Sequence, residues 1–448
     1  MCLGQETETG YLSYDEFLGY VKKYHPLVRQ ADLEISDAQA VLMAARGGFD
    51  PKIEVDYNKK EFTGTEYYSL LNSSFKIPTW YGIELKAGFD QVSGQYFNPM
   101  DRTPEAGLTS LGITVPLGQG LFINQRMADV REGKLQINLS TAQRKLRAIE
   151  VLYAASQAYF EWKRSYAEAM LYQEYYGFAS TRFQGVKQLI ELGDSPAIDS
   201  VEARITVRSR RLNLENANLK LAKARLYMSN YLWINDVPVE LGENVKPEEQ
   251  LLSSLQQTLR TNDMVIDTAN LASHPKIQSL ETKISILEVN RQLKANLLLP
   301  KLNVGYNYIS QPSYIDRFDL QDYKFNVNFS MPILFRKERG NLKLAKIKIQ
   351  DARFELSQQT LELRNKIRAQ QTEIASLTVQ IKETNELVND YSAMLASEEK
   401  LFSYGESSVF LINSRENNLV NARLSQIDME YRYFLSNAQL YRILANPE

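Results

Sequence analysis

Pro51-Lys-Ile-Glu-Val-Asp-Tyr-Asn58 recurs 249 positions later, at positions 300 to 307, as Pro300-Lys-Leu-Asn-Val-Gly-Tyr-Asn307. The same spacing separates His25-Pro26 from His274-Pro275, so this part of the chain repeats without a gap. Two later pairs of landmarks recur in the same order: Val115-Pro116 with Met331-Pro332, and Gly193-Asp194-Ser195 with Gly405-Glu406-Ser407. A repeat of this length indicates a duplicated structural unit rather than a short-repeat solenoid.

The overall composition excludes several protein classes. The chain has 52 Lys and Arg against 54 Asp and Glu, a balance that does not suggest a nucleic-acid-binding protein. Its mean hydropathy is -0.36, and no apolar run reaches the ~20 residues of a membrane-spanning helix. We therefore expect any contact with a bilayer to be made by strands.

The first residues suggest an exported protein. Cys2 is the single cysteine, which rules out an internal disulfide and a cysteine-rich metal site. Residues Met1–Glu6 show neither the basic nor the apolar region of a signal peptide, so we interpret Leu3-Gly4-Gln5 as the remainder of a trimmed one. Lipidation of Cys2 is an alternative, although no lipobox precedes it.

Two stretches have the two-residue alternation of strands. Residues 51–117 predict about four strands, and residues 302–331 predict two more. Strands of roughly 9–11 residues with one apolar and one polar face are typical of a transmembrane barrel. An ordinary antiparallel sheet on a soluble core is the alternative.

Two proline-free runs, Asn124–Leu192 and Lys337–Tyr404, are predicted to form very long helices of ~100 Å at 1.5 Å per residue. Their apolar residues keep the narrow 4-3 spacing of a coiled-coil seam, as in Leu342, Ala345 and Ile349. Such helices bury one stripe and stay in contact with water elsewhere, which suits a wall that is one helix thick.

We divide the chain into two structural repeats and a linker. Each repeat contains a helix, a set of strands and a long helical hairpin. The boundaries are 1–235 for the first repeat (strands over 51–117, hairpin over 124–232), 236–256 for an equatorial linker, and 257–448 for the second repeat (strands over 302–331, hairpin over 337–445).

The repeated prolines around the strands and the two glycine turns resemble the TolC-type outer-membrane efflux family, over essentially the whole chain. Gly193 is followed six residues later by Asp199, as in the family's Gly-x5-Asp at a periplasmic tip. The tail Asn418-Leu-Val-Asn-Ala-Arg-Leu424 is similar to the family's last helix.

The resemblance implies a mixed α/β membrane protein with an internal duplication. Long antiparallel coiled-coil helices would form a periplasmic α-barrel, and antiparallel strands would contribute to a transmembrane β-barrel shared by a homotrimer. Strand number supports an oligomer independently, because four to six strands cannot close a barrel alone and open edges are not tolerated in lipid.

The resemblance also implies a location and partners. The protein would lie in the outer membrane and extend into the periplasm, in contact with outer-membrane lipid. It would work with a periplasmic adaptor (membrane fusion) protein and an inner-membrane pump of the RND or ABC type. Neither a nucleic acid, a cofactor nor a metal is expected.

The glycine turns provide the candidate functional residues. We expect the adaptor to contact the tips at Gly193, Asp194, Ser195, Gly405, Glu406 and Ser407. We expect the closed tunnel gate to involve Phe410, Leu411, Asn413, Ser414 and Asp199. The family often has acidic residues at the sixth and ninth positions after the second glycine, whereas this chain has Leu411 and Ser414, so we expect an apolar closure in place of an acidic ring. Packing of Leu411 against a neighbouring helix, with the constriction elsewhere, is the alternative.

The first strand region is about twice as long as the second, which suggests an extra hairpin and more than the family's usual twelve strands. Aromatic residues at predicted strand ends are candidates for a membrane-interface belt, with packing under loops as the alternative: Trp80, Tyr81, Tyr96 and Phe97. The charge runs Glu398-Glu399-Lys400 and Arg208-Ser-Arg210-Arg211 are interpreted as solvated helix faces.

Three classes of function remain from sequence. The first is a passive duct of a tripartite efflux or type I secretion system, and the second is a soluble or surface coiled-coil scaffold without transport activity. An enzyme is not expected, because no catalytic constellation is present: His25 and His274, the only histidines, are interpreted as helix-start residues copied by the duplication. Lipid-facing strands favour the duct over the scaffold.

Overall fold

A computed structural model describes residues 10–193, 196–259, 268–317, 319 and 321–445 of the chain. Within these ranges the chain forms eight α-helices: α1 (Tyr14–Tyr24), α2 (Pro26–Arg46), α3 (Gln125–Leu192), α4 (Ala197–Ser229), α5 (Leu251–Thr258), α6 (Pro275–Asn296), α7 (Arg336–Ser403) and α8 (Val409–Leu444). No helix in the described part is both long and apolar enough to cross a bilayer.

The chain separates into two compact units, and each takes segments from both sequence repeats. One consists of Met1–Leu33, Gln143–Pro275 and Gln359–Glu448, and the other of Glu34–Ala142 and Lys276–Gln358. The predicted repeats thus describe the duplication, whereas compactness groups equivalent segments of the two repeats together. The division at 1–235, 236–256 and 257–448 stays a prediction.

The second unit contains one antiparallel sheet of six strands. The strands are β1 (Lys52–Phe62), β2 (Thr65–Pro78), β3 (Glu84–Ser93), β4 (Leu108–Pro116), β5 (Lys301–Ser310) and β6 (Tyr323–Ser330). Each strand pairs with the next one in the chain, so the sheet is a meander in the order β6-β5-β4-β3-β2-β1. The pairing of β4 with β5 therefore joins the two sequence repeats.

One face of this sheet is apolar along its whole width. Successive strand pairs place six residues in one hydrogen-bonded row on this face: Ile53, Phe75, Ala87, Leu111, Tyr308 and Tyr323. Its edge strands are strongly exposed in the single chain, with Ile53 at 76% and Phe325 at 55%. On the opposite face, Asn307 lies over Gly112 and Asn326 lies over Gly305, so neither glycine has room for a Cβ.

In the first unit α7 buries a narrow stripe, as the 4-3 spacing predicts, whereas α3 is buried over a broader face at residues 155–162. On α7 the buried apolar residues of this stripe recur at intervals of 4, 7 and 10 residues. They are Leu363, Ile367, Leu377, Ile381, Val388 and Leu395. The residues between them are mostly exposed, and a helix with this pattern is solvated over most of its circumference.

An aromatic cluster fills the centre of the first unit. Tyr14, Tyr159 and Trp162 are completely buried, and the Tyr14 ring lies 5.3 Å from the Tyr159 ring. The Tyr159 hydroxyl donates to the Leu12 carbonyl (2.7 Å) and accepts from the backbone N–H of Glu248 (3.1 Å). Burial raises the pKa of both tyrosines, so both hydroxyls stay protonated, and that of Tyr159 holds these two backbone segments together.

Both histidines mark the start of a helix. The Nδ1 atom of His25 accepts from the backbone N–H of Leu27 in the first turn of α2, at 3.3 Å. The Nε2 atom of His274, just before α6, lies 2.8 Å from the Ile443 carbonyl at the end of α8. Burial lowers the pKa of both imidazoles, because desolvation disfavours the charged ring.

These two pKa shifts predict a loss of stability at mildly acidic pH. The unfolded histidines take up protons as the pH falls below about 6.5, whereas the folded ones resist protonation, so the folded state becomes less stable. We expect the melting temperature of the detergent-solubilised protein to fall between pH 7.5 and 5.5. The variant His25→Asn/His274→Asn, which keeps a helix-capping side chain, should show a shallower fall; an identical pH profile would contradict this account.

Candidate functional site: the two helical tips

Each long helix of the first unit ends at a glycine with a left-handed backbone conformation. Gly193 follows α3 with φ of 83°, and Gly405 follows α7 with φ of 77°. The N–H of Gly405 donates to the Phe402 carbonyl (2.9 Å), and that of Glu406 donates to the Leu401 carbonyl (3.0 Å). This pair of bonds is the Schellman arrangement, in which glycine is favoured because it has no Cβ.

The space around both glycines is open. A Cβ built on Gly193 or Gly405 has no neighbouring atom within 4 Å. The two glycines are therefore required by backbone conformation alone, and a second molecule can approach the backbone closely at both turns. Asp194 and Ser195, which the sequence adds to the first tip, lie outside the described residues.

The second tip is fixed by a carboxylate. The Ser407 hydroxyl donates to Oε1 of Glu398 (2.5 Å), and Nε of Arg415 donates to Oε2 of Glu398 (3.4 Å). Glu398 is 9% exposed, so the interpretation of this residue as part of a solvated charge run is wrong. Ser408 caps α8 by accepting from the N–H of Leu411 at 3.3 Å.

The two tips pack against each other within one chain. Val186 on α3, Ala203 on α4 and Val409 on α8 form a buried cluster, and Phe402 on α7 packs against it. All four helices of the two hairpins thus meet just below the turns.

The residues predicted for the gate fall into two groups. Phe410 and Leu411 project from the first turn of α8, with 65% and 39% of their surface exposed. Ser414 and Asp199 are partly exposed, and Asp199 lies in the first turn of α4, where the helix dipole favours a carboxylate. Asn413, by contrast, is 6% exposed and faces the interior of the helix packing within this chain.

Asn413 belongs to a buried ionic network centred on Glu416, which is completely buried. Glu416 accepts from Arg182 of α3 (2.7 Å) and from Arg210 of α4 (3.2 Å). Arg182 also donates to Asn413 (3.1 Å), and Asn413 donates to Glu202 of α4 (3.3 Å). Three helices are therefore joined by charge-assisted hydrogen bonds immediately below the tips.

Sequence reasoning missed this network and assigned Arg210 to a solvated charge run, although Arg210 is only 5% exposed. A signal was present in the spacing. On α4 the buried residues Ala203, Arg210, Ala217 and Ala224 follow each other at intervals of seven. A charged residue at a seam position of a coiled coil is a candidate for a buried pair rather than for a solvated face.

The four aromatic belt candidates occupy the two ends of β3. Trp80 and Tyr81 precede this strand, whereas Tyr96 and Phe97 follow it. Trp80 stacks on Phe49 (5.4 Å) and packs against a buried cluster, so for its ring the packing alternative applies. Tyr81 and Tyr96 are more than 60% exposed, as residues of a membrane interface would be in a single chain.

The described residues contain no group of three or more His, Cys, Asp or Glu residues able to hold a metal ion. The features of the tips that can take part in binding are their open backbone turns, their exposed apolar residues and their charged groups. Two open glycine turns lie beside an exposed apolar pair, Phe410 and Leu411, above a buried ionic network.

The ionic network predicts a large effect for Glu416→Gln. The substitution leaves the buried guanidinium of Arg210 without a counter-charge and that of Arg182 with only the exposed Glu399, and breaking a buried pair typically destabilises a protein by about 3–5 kcal/mol. The matched control is Glu399→Gln, since Glu399 is 53% exposed and 3.8 Å from Arg182, and its loss should have an effect below about 1 kcal/mol. Urea unfolding followed by far-UV circular dichroism measures both, and equal midpoints would contradict the network's role.

Comparison with solved structures supports the fold. CmeC of Campylobacter jejuni, an outer membrane channel, superposes with a TM-score of 0.66 at 15% identity, covering 96% of this chain and 85% of that chain. The outer membrane protein VceC of Vibrio cholerae gives 0.66 at 12% identity, covering 96% of each chain. MtrE of Neisseria gonorrhoeae, an outer membrane channel in its open state, gives 0.66 at 12%, covering 97% and 89%.

Among curated protein sequences, no match is found. The family model described as outer membrane efflux protein, however, matches residues 20–232 and 267–446, that is, most of both repeats. The two strand sets and the two tips lie inside these matched ranges. The chain therefore belongs to the outer membrane efflux protein family, whose members are outer-membrane channels that extend into the periplasm.

Proposed function

We propose that three copies of this chain form a passive duct, which receives substrate from an inner-membrane pump of the RND or ABC type through a periplasmic adaptor. The observation that carries the proposal is the family match over both repeats. The geometry of the chain agrees with a duct, because an amphipathic sheet and two 68-residue helices are built into one chain. No feature of the described residues favours the scaffold alternative.

The sheet supports a multimeric duct. Its apolar face is exposed in the single chain, and six strands are fewer than the ~8 that the smallest filled barrels need. Association of several copies removes the open edges from lipid, where unpaired backbone groups are not tolerated.

The two tips are the proposed adaptor contact. The open space around Gly193 and Gly405 allows a helical hairpin of an adaptor to approach the backbone directly. Glu406 is exposed at the second turn and Ser407 is half-buried, so backbone and carboxylate groups are both accessible there.

Bulk at the tips should block export without unfolding the channel. Gly193→Trp and Gly405→Trp each place a large side chain in the open space, whereas Gly193→Ala and Gly405→Ala impose the same backbone strain of about 1 kcal/mol without the bulk. We expect the alanine variants to keep export and the tryptophan variants to lose it, with trimers of both kinds present in native mass spectrometry. Export by both tryptophan variants would contradict the adaptor assignment.

The gate is proposed to be apolar. Leu411 and Phe410 are the exposed apolar residues of the first turn of α8, and three-fold symmetry would bring three copies of this turn together. A narrow ring of apolar side chains can block ions by dewetting, so a charged ring is not required. Asp199, with its partly exposed carboxylate in the first turn of α4, is proposed to line or lock the same mouth.

Planar-bilayer recordings can test Leu411. Leu411→Ser should raise the conductance of the isolated trimer, because a polar ring stays wet, and Leu411→Asp should make it sensitive to divalent cations. Leu401→Ser is the matched control, since Leu401 is 41% exposed but lies on α7, before the turn, and this variant should conduct like the parent. If both Leu411 variants also conduct like the parent, Leu411 is not the gate.

A further inference from the structure

The six-stranded sheet ends in two edges to which no other described strand is paired. These edges are β1, with eleven residues, and β6, with eight. Each unpaired backbone group costs several kcal/mol in hydrocarbon, so both edges need a partner strand. We propose that β1 of one copy pairs with β6 of the next, which closes a barrel of eighteen strands from three copies; this inference rests on the trimeric duct proposed above.

Strand direction allows this pairing. Neighbouring strands of the meander run in opposite directions, and the sheet has an even number of strands. The two edge strands β1 and β6 are therefore antiparallel to each other. When a second copy is placed beside the first by rotation about a common axis, its β6 runs antiparallel to β1, which is the pattern of bacterial outer-membrane barrels.

The strand ends define the register of the new pair. Strand β1 begins at Lys52 directly after Pro51, and β6 ends at Ser330 ahead of Met331 and Pro332. Pairing Lys52 with Ser330 of the next copy uses all eight residues of β6 and ends with Lys59 opposite Tyr323. This register keeps apolar residues opposite apolar ones, namely Ile53 with Phe329, Val55 with Val327, and Tyr57 with Phe325.

The polar face agrees with the same register. Glu54 faces Asn328, Asp56 faces Asn326, and Asn58 faces Lys324, so no like charges are opposed across the new pair. The Lys324 ammonium is also diagonal to the Asp56 carboxylate, within the distance over which cross-strand neighbours interact.

Barrel geometry provides an independent check. The hydrogen-bonded row that starts at Ile53 reaches Tyr323 in the same copy, whereas the proposed closure pairs Ile53 with Phe329 of the next copy. Following this row across one copy and into the next therefore shifts the position along β1 by six residues, from Ile53 to Lys59. The total stagger of the closed barrel is eighteen residues for three copies. With a rise of about 3.3 Å per residue and a strand spacing of about 4.8 Å, eighteen strands with this stagger tilt by about 35°, at the lower end of the usual range.

The hairpin of β1 and β2 lies at one edge of the sheet, beyond the four strands β3 to β6. It is an integral part of the sheet, because β2 pairs with β3 continuously from Ser69 to Pro78. Its apolar residues Ile53 and Phe75 continue the apolar row of the other four strands. A hairpin folded away from the barrel would expose this row to water.

Eighteen strands have a consequence for transport. Barrel diameter grows roughly linearly with strand number, so the lumen is about 1.5 times as wide as that of a twelve-stranded barrel. The outer-membrane section then places no limit on cargo that has already passed the helical tips, and bulkier substrates can leave the cell through it.

Disulfide trapping can test the closure, and replacing Cys2 with Ser provides a background without cysteine. Val55→Cys/Val327→Cys reports β1–β6 pairing, and Phe89→Cys/Val327→Cys reports the twelve-stranded closure, in which β3 would be the edge. Within one copy each of these pairs is separated by at least three strand spacings of about 4.8 Å, too far for a disulfide, so any covalent link joins two copies. Val55→Cys/Asn328→Cys, with its side chains on opposite faces, is the control.

Under oxidising conditions in outer membranes, the first pair should give covalent trimers on denaturing gels, and the other two pairs should give monomers. Linkage of the Phe89 and Val327 pair would overturn the proposal, as would the absence of linkage in the first pair when native mass spectrometry finds trimers. Absence of trimers altogether would instead refute the proposed trimeric duct, so the two failures are distinguishable.

Discussion

The constraint on which this structure depends is that every backbone N–H and C=O of the sheet needs a partner where no water can supply one. A meander of neighbouring antiparallel strands satisfies this constraint everywhere except at its two edges. The duplication contributes to it as well, because β4 of the first repeat and β5 of the second repeat pair with each other through eight residue pairs. The two repeats therefore form one hydrogen-bonded sheet in the strand unit, and each repeat supplies the partner strand for one edge of the other.

The helical unit is held together by a different kind of contact. Helix α7 buries only a narrow stripe and leaves most of its surface solvated, whereas α3 packs over a broader face around the central aromatic cluster. Specific polar contacts within the helix packing define which helices pack together. Near the tips, Glu416 joins Arg182 and Arg210 across three helices, and in the centre the hydroxyl of Tyr159 joins two backbone segments. Register along these helices is thus specified by a few buried polar groups placed between apolar ones.

Sequence alone predicts the parts of the fold that depend on local periodicity. The strands within 51–117 and 302–331 and the two long helices are recognisable because one face of each element differs from the other. The glycine turns are recognisable because Gly193 and Gly405 need a positive φ. Contacts between distant segments are not encoded locally, however. The burial of Arg210 depends on Glu416, 206 residues later, and Trp80 packs on Phe49, so neither environment follows from neighbouring residues.

The pairing across the repeats also determines the order in which the chain can fold. Thr109 of β4 bonds to Ser310, 201 residues later, and the N–H of Tyr14 bonds to the side chain of Glu248, 234 residues later. As the chain is translocated from its N-terminus, the first four strands and α1 emerge long before their partners. Such non-local pairing is slow, and the exposed edge of β4 is prone to aggregate while it waits. The edge of β4 therefore has to be kept from pairing with other chains until β5 arrives.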